Sequence, residues 1–563
     1  MTYKLTFKAG AMTLRKSATS LTDTEIDKFV TAVTTLKNTP TTDRNGNPTN
    51  LYDQFVAIHP AVTRLQGFAS VDGGHRNAAF LPWHREYLHR FEQALQMVDP
   101  DVLIPYWDWT DHVGSEFVLF QDNFIGPNGG LGGIGGGAVE SGHFSLAEGG
   151  WRVDDDLNPL SPSGALVRNL GEFSDLATQS DVNSALNQSS YDLFRPALEA
   201  GNKLHNFGHV WTGGNMGNFF SPNDPLFWLH HANVDRLWAE WQANGHQGSN
   251  FYPASGQPNG HNLNDPMWPW DGGSSSTLFS SVEHLLPTFE PTDIVTPIDV
   301  LDIASIGYSY LVEPAIQGTS DVTFSDPPRV TSADSEYEIT GNSISWGTPL
   351  LGNSNGARSS LSITEGSFST RLNTPFEIGE ITFFNGTIVT DTGLDGVDLL
   401  LDMTIDIPEL GIDDFPIMAQ RNIFINDTPN IGTPEQNADF LTIETDTSPG
   451  QENSLGNFKN SFHIFEGAEE TASLIGRITQ SDVGLAPFSP FSINQEALLD
   501  GLTLQSPQQR FKFELLGFGK VKGDGGFLTT TSVPEPTSTL SVLAFGALGA
   551  SSALKRKQKQ KSK

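Results

Sequence analysis

In Asp224-Pro225-Leu226-Phe227-Trp228-Leu229-His230-His231-Ala232-Asn233-Val234-Asp235-Arg236-Leu237-Trp238 the apolar residues recur at helical spacing. On a helix starting near Asp224, residues Phe227, His231, Val234, Trp238 and Trp241 share one stripe, so His231 points inward among aromatic rings. A neutral imidazole buried there requires a hydrogen bond or a metal ion. His230 lies about 100° around the helix. It reads as a packed histidine, or one that supports a ligand, rather than as a ligand to the same ion.

Two more groups of histidines lie upstream. His205 and His209, in Leu204-His205-Asn206-Phe207-Gly208-His209-Val210-Trp211, have the spacing that puts two imidazoles one turn apart on one helical face, where they can share an ion or stand as hydrogen-bonded surface groups. His59 follows Phe55 at helical spacing. His75 sits in the loop Asp72-Gly73-Gly74-His75-Arg76-Asn77, and His84 heads an apolar stripe of Leu88, Phe91 and Leu95. Two sets of three histidines describe a helical bundle with two His₃ sites in its middle. The chain has no Cys, which removes disulfides, thiolate metal sites and thiol nucleophiles, so any transition-metal site must use His and carboxylate.

Composition divides the 563 residues. All but one of the 14 His lie at or before His284, and all but one of the 11 Trp at or before Trp270. The first part contains helix-period segments: 24–36, 51–66, 84–98, 191–200 and 226–242. From about Thr323 to Leu528 short runs rich in Ile, Leu, Phe, Val and Thr, such as 343–346, 360–363, 380–389 and 397–405, alternate with Asn, Gly, Asp and Pro, the pattern of an all-β sandwich. The expected fold is therefore multidomain: a mainly α helical bundle over 1–314, an all-β sandwich-like domain over 315–528, and a tail over 529–563. Pro-containing stretches at 287–297 and 327–328 mark the expected seams. A net charge of −34 repels phosphate backbones and excludes nucleic acid as a partner.

Phe80–Leu88, Pro105-Tyr106-Trp107-Asp108-Trp109, Leu204–Met216 and Asp224–Trp241 together resemble the two copper motifs of tyrosinases, the type-3 copper enzymes related to catechol oxidases and molluscan haemocyanins. The resemblance runs over roughly Arg15–Tyr310, and both motifs occur in order. It implies a dicopper centre with His59, His75 and His84 on one copper and His205, His209 and His231 on the other, with O₂ as co-substrate. Imidazole suits both Cu(I) and Cu(II). A di-zinc hydrolase would add bridging carboxylates, and none stands at matching spacing. Asp108 and Asp235 are candidates either to fix ligand tautomers or to pair Arg85 and Arg236. Glu199 and Asn206 resemble the tyrosinase pair that holds a water over the site, which would take the proton of a monophenol; as a bland alternative, Glu199 is a solvated helix residue and Asn206 a cap. Without Cys no His–Cys cross-link can form, which favours the bacterial type.

The leading expectation is a tyrosinase that hydroxylates monophenols and oxidises o-diphenols to o-quinones, its substrates small phenols or protein tyrosines. The alternatives are a catechol oxidase without monophenolase activity, a haemocyanin-like O₂- or copper-binding surface protein, and a surface matrix protein in which the sandwich acts. The residue overhanging the copper pair, expected within Asn218–Ser221, separates enzyme from carrier, and Phe219 or Phe220 is bulkier than the small residue that would leave an open entrance. In the second half, Ser343–Pro349, Pro375–Gly379 with Phe383–Thr387, and Asn437–Leu441 resemble choice-of-anchor modules of type K. Val533-Pro534-Glu535-Pro536, the apolar run Leu540–Leu554 and the basic end Lys555–Lys563 resemble the PEP-CTERM sorting signal. That likeness implies export to the cell surface or matrix and cleavage by an exosortase-type partner. Met1–Ser20 shows no apolar core of a signal peptide.

Overall fold

The computed structural model describes residues 13–66, 71–130, 136–158, 164–172, 174–201, 203–255, 259–350, 357–426, 438–444, 461–480, 511–522 and 526–529. Its first lobe is built from α1 (Asp23–Asn38), α2 (Leu51–Val62), α3 (Phe80–Gln96), α4 (His112–Gly114), α5 (Gln179–Leu186), α6 (Tyr191–Glu199), α7 (His205–Thr212) and α8 (Leu226–Ala243). Local chemistry starts several of them. The Thr22 hydroxyl accepts from the Glu25 amide while the Glu25 carboxylate accepts from the Thr22 amide, and Asn50 Oδ1 accepts from the Asp53 amide at the start of α2. Helix α3 begins a turn earlier than the spacing from His84 suggests, because Pro82 lies in its first turn, where a missing N–H costs no helical bond. Helix α5 escaped the sequence reading: it is short and buries only Val182 and Ala185.

Helices α2, α3, α7 and α8 enclose the histidines. Phe91 of α3 and Trp228 of α8 stack at 3.6 Å, and the Trp228 indole donates to Tyr52 Oη of α2 at 3.0 Å. A buried charge network sits one turn beyond His84 and His231. Asp235 accepts from Arg85 Nε (2.5 Å), Arg15 Nη1 (3.4 Å), Tyr308 Oη (2.5 Å) and Tyr310 Oη (2.6 Å). Burial pushes the Asp235 carboxyl up, but Arg85, Arg15 and the two hydroxyls outweigh it and hold it below its ordinary value. Arg15 also donates to Glu92 at 2.9 Å. The network thus ties α3 to α8 and to the parallel strand pair Thr13–Arg15 and Tyr308–Tyr310, where the two ends of the lobe meet.

The second lobe is antiparallel β. One sheet runs Phe511–Lys522, Glu469–Gln480, Pro375–Phe384, Ser359–Thr364, Ser343–Trp346, Tyr337–Thr340; the other runs Gly366–Arg371, Ala315–Phe324, Leu394–Ile407, Ile412–Asn426, Asp439–Ile443, Ser461–Ile464, Gly526–Thr529. Period-two alternation makes the sandwich: Leu399, Leu401, Met403 and Ile405 are buried while Leu400 and Asp402 face out, and the inner faces share a core with Ile344, Trp346, Leu361 and Phe383. The chain passes between lobes over Leu311–Pro314, directly after Tyr310. The proline stretches expected as seams lie elsewhere: 287–297 packs within the helical lobe, where Val295 is bonded to Trp270, and 327–328 lies between strands of the sandwich. The tail over 530–563 falls outside the described residues.

Candidate metal centre

Six histidines converge between the four helices, and the hydrogen bonds at their rings decide what they can do. The loop carrying His75 folds around Asp72, whose Oδ1 accepts from the Gly74 amide (3.0 Å), the His75 amide (2.9 Å) and His75 Nδ1 (3.2 Å). This loop lies close against the end of α2: a Cβ on Gly73 would stand 2.6 Å from a terminal methyl of Leu65 and 3.1 Å from Val62, so a larger residue would have to push those side chains aside. His59 Nδ1 donates to the Phe219 carbonyl (2.7 Å) and His84 Nδ1 to the Phe80 carbonyl (2.8 Å). In the second group His205 Nδ1 donates to the Glu199 carbonyl (3.2 Å) and to Asn206 Oδ1 (3.0 Å), and His209 Nδ1 donates to the Met216 carbonyl (2.8 Å).

These acceptors have no hydrogen to give, so in five rings the proton sits on Nδ1 and Nε2 presents a bare lone pair. The consequence is unfavourable for an all-protein site: His59 Nε2 faces His75 Nε2 at 3.1 Å, His205 Nε2 faces His209 Nε2 at 3.2 Å, and His84 Nε2 is buried without a partner. Lone pairs aimed at each other repel, and a cation between them converts the repulsion into ligation. His231 completes the second set. Both its nitrogens are buried and unpartnered, and its ring is clamped between Phe227 (4.3 Å) and a parallel His84 ring (4.2 Å). Phe227 also packs on His59 at 4.9 Å, so one ring braces both sets.

The donor atoms form two groups, His59 with His75 and His84, and His205 with His209, His230 and His231, each within 4.8 Å of one another. Protonation chemistry removes His230 from the second. Its Nδ1 accepts from the indole N–H of Trp109 at 3.1 Å, so its own proton sits on Nε2 and the ring has no free lone pair there. That agrees with the reading of His230 as a support. Burial holds His59, His84, His205 and His231 well below the ordinary imidazole value, with neighbouring imidazoles adding to it, and brings His209 to about 4. The rings are therefore neutral donors at pH 7.

Asp235 pairs Arg85, while Asp108 is capped by Thr110 and lies 3.6 Å from Arg371. The tautomers of the other candidate ligands are instead set by backbone carbonyls of Phe80, Phe219, Glu199 and Met216, which carry no signature in the sequence. Gly208 did carry one: a Cβ there would stand 2.4 Å from the His230 ring, so glycine between His205 and His209 lets α7 close on α8. Glu199 is not the solvated helix residue of the alternative reading: its oxygens accept from the Arg76 amide (2.5 Å) and Arg195 Nη1 (2.5 Å). It is buried beside the second set, whereas Asn206 is exposed at its rim with Val210 and Phe219. The Phe219 ring stands 6.0 Å from His75, in the overhanging position expected of Asn218–Ser221.

The six donors are imidazole nitrogens, and among the described residues neither group includes a carboxylate. Residues 49–244 match the family model described as the common central domain of tyrosinase. The chain is 41% identical over 288 residues to a tyrosinase of Streptomyces glaucescens and 39% identical over 285 residues to one of Streptomyces antibioticus, matches that take in 48% of this chain and 98% of each relative. A polyphenol oxidase structure from Thermothelomyces thermophila superposes with a TM-score of 0.41 at 23% identity, covering 54% of this chain and 89% of that one. With nearly the whole of those curated relatives matched at such identity, the chain belongs to the tyrosinase family.

Proposed function

We propose that this chain, an oxidoreductase of the tyrosinase kind, holds one copper on His59, His75 and His84 and a second on His205, His209 and His231, and uses O₂ to hydroxylate monophenols and oxidise o-diphenols to o-quinones. The observation that carries the reading is the pair of Nε2 contacts, one in each set, which a metal ion seated between the nitrogens makes favourable while every Nδ1 bond is kept. The copper pair, when bound, supplies electrons to O₂ and a Lewis-acidic seat for the phenolic oxygen.

The protein's own residues do the rest. Nδ1 donation to carbonyls keeps Nε2 of His59, His84, His205 and His209 aimed inward, Asp72 does the same for His75, and the rings of Phe227 and Phe80 pack on the inner side of both sets. His209 is partly exposed and its neighbours Asn206 and Val210 are exposed, which favours a substrate site reached past the Phe219 overhang over the closed pocket of an O₂ carrier. A phenol with a pKa of about 10 must lose its proton before its oxygen can bind a metal. Asn206 and Glu199 flank His205, and a water held between them is the proposed acceptor of that proton. Small phenols fit this reading, and protein tyrosines are included where they reach the rim. Surface display through the 533–563 tail is the corresponding reading of location, resting on the likeness of that tail to a sorting signal.

Oxygen uptake by the copper-loaded chain, with a monophenol and a catechol side by side, tests the reading. Uptake with both is expected. Uptake with catechol alone moves the assignment to catechol oxidase, and copper binding without uptake moves it to a carrier.

A further inference from the structure

The sandwich is joined to the helical lobe by more than its peptide connection. Val312, Glu313 and Pro314 are buried, Tyr106 Oη donates to the Leu311 carbonyl at 2.9 Å, and Arg371 Nη1 donates to the Glu313 carbonyl at 2.7 Å. Ile475 and Leu516 of the sandwich, 0% and 3% exposed, pack on Val113 and Phe117 of the helical lobe. The approach is close: a Cβ on Gly519 would stand 3.0 Å from the Phe117 ring. Beside this contact Arg371 Nε lies 3.6 Å from Oδ2 of Asp108, a carboxylate with a side chain only 4% exposed. Burial pushes Asp108 up, and the charges of Arg236 and Arg371 outweigh it.

Asp108 sits between two residues stitched to the floor of the second histidine set. The Trp107 amide donates to the Leu229 carbonyl at 3.0 Å, and the Trp109 indole donates to His230. His230 in turn packs on His205 at 5.2 Å and on His209 at 4.5 Å. We propose that the β lobe is a working support of the second metal set: Arg371 is a positioning residue that, through Asp108, holds the Trp107–Trp109 segment and with it His230 against His205 and His209. The inference rests on the proposed copper ligation, and it assigns the sandwich a role at the back of the site rather than over its mouth.

The test uses the full chain with Arg371→Ala, Arg371→Lys and, as a surface control, Arg358→Ala. Arg358 pairs Glu336 on the sandwich with both side chains partly exposed. In the metal-free proteins, hydrogen exchange should speed up in residues 107–111 and 228–232 for Arg371→Ala only. In copper-loaded proteins, a chelator should remove one of the two ions about tenfold faster from Arg371→Ala, at the low end for partners that orient a ligand, while the other ion is unaffected. Arg371→Lys should restore both readouts in large part. Unchanged exchange and release in Arg371→Ala, or equal acceleration of both ions, would overturn the proposal. If the parent chain takes up no copper, the metal reading fails, and the exchange result still decides the coupling between lobes.

Discussion

Five of the six candidate ligands are aimed by hydrogen bonds at Nδ1, and His231 by packing between Phe227 and His84, and this gives the residue-scale predictions. Replacing His84 or His209 with Ala should lose one copper each, measured by metal analysis, and abolish turnover, because one copper cannot deliver both electrons. Glu199→Gln keeps a similar shape and weakens the acceptor for Arg76 and Arg195. It should depress monophenol turnover much more than catechol turnover, and equal losses would remove the proton-acceptor role. Phe219→Ala clears the overhang beside His75 and should raise turnover of bulky phenols relative to small ones, read from kcat/KM for a matched pair. Sequence patterning was most informative at this scale. His59, His84, His205, His209 and His231 stood out because imidazoles on apolar helical faces require partners, and His75 joined them from a loop. The carbonyls of Phe219 and Met216 that aim two of them could not be read, since a main-chain oxygen is the same in every residue.

At the scale of elements, the helices that carry ligands are held by charge as well as by apolar packing. Asp235→Ala would leave Arg15 and Arg85 buried without their shared carboxylate, and should cost about 3–5 kcal/mol of stability in denaturant titration. The segment behind the site has a pH signature. Burial raises Asp111 to about 6, against the Thr19 hydroxyl and Gly114 amide that stabilise its charge. Because the folded value lies above the unfolded one, the folded chain binds the extra proton between about pH 4 and 6, and the contribution of this group falls as pH rises through that window. Asp111→Asn should therefore flatten the difference between denaturation midpoints at pH 4 and pH 6. Helices with long stripes, such as α3 and α8, and strands with strict alternation, such as Leu394–Ile407, were legible to within a few residues. Helix α5 was not, because two buried residues make no pattern, and the start of α3 was hidden by Pro82.

The two lobes are joined by a buried connection, an apolar contact and the Arg371–Asp108 ion pair, so removing the sandwich after Pro314 should expose Val113 and Phe117 and leave Asp108 with Arg236 as its cationic neighbour. The expected outcome is a lower melting temperature and faster loss of one copper, not loss of the helical fold. Composition had separated the lobes, since all but one His and one Trp precede the β pattern, but the contact between them depends on Arg371, Ile475 and Leu516, which in sequence look like any other strand residues. The most direct test of the central claim is metal analysis of the full chain after copper loading, paired with oxygen uptake on a catechol. Two coppers per chain, one lost in His84→Ala and the other in His209→Ala, with uptake only when both are present, is the predicted result. A single copper per chain, or undiminished uptake in either variant, would contradict it.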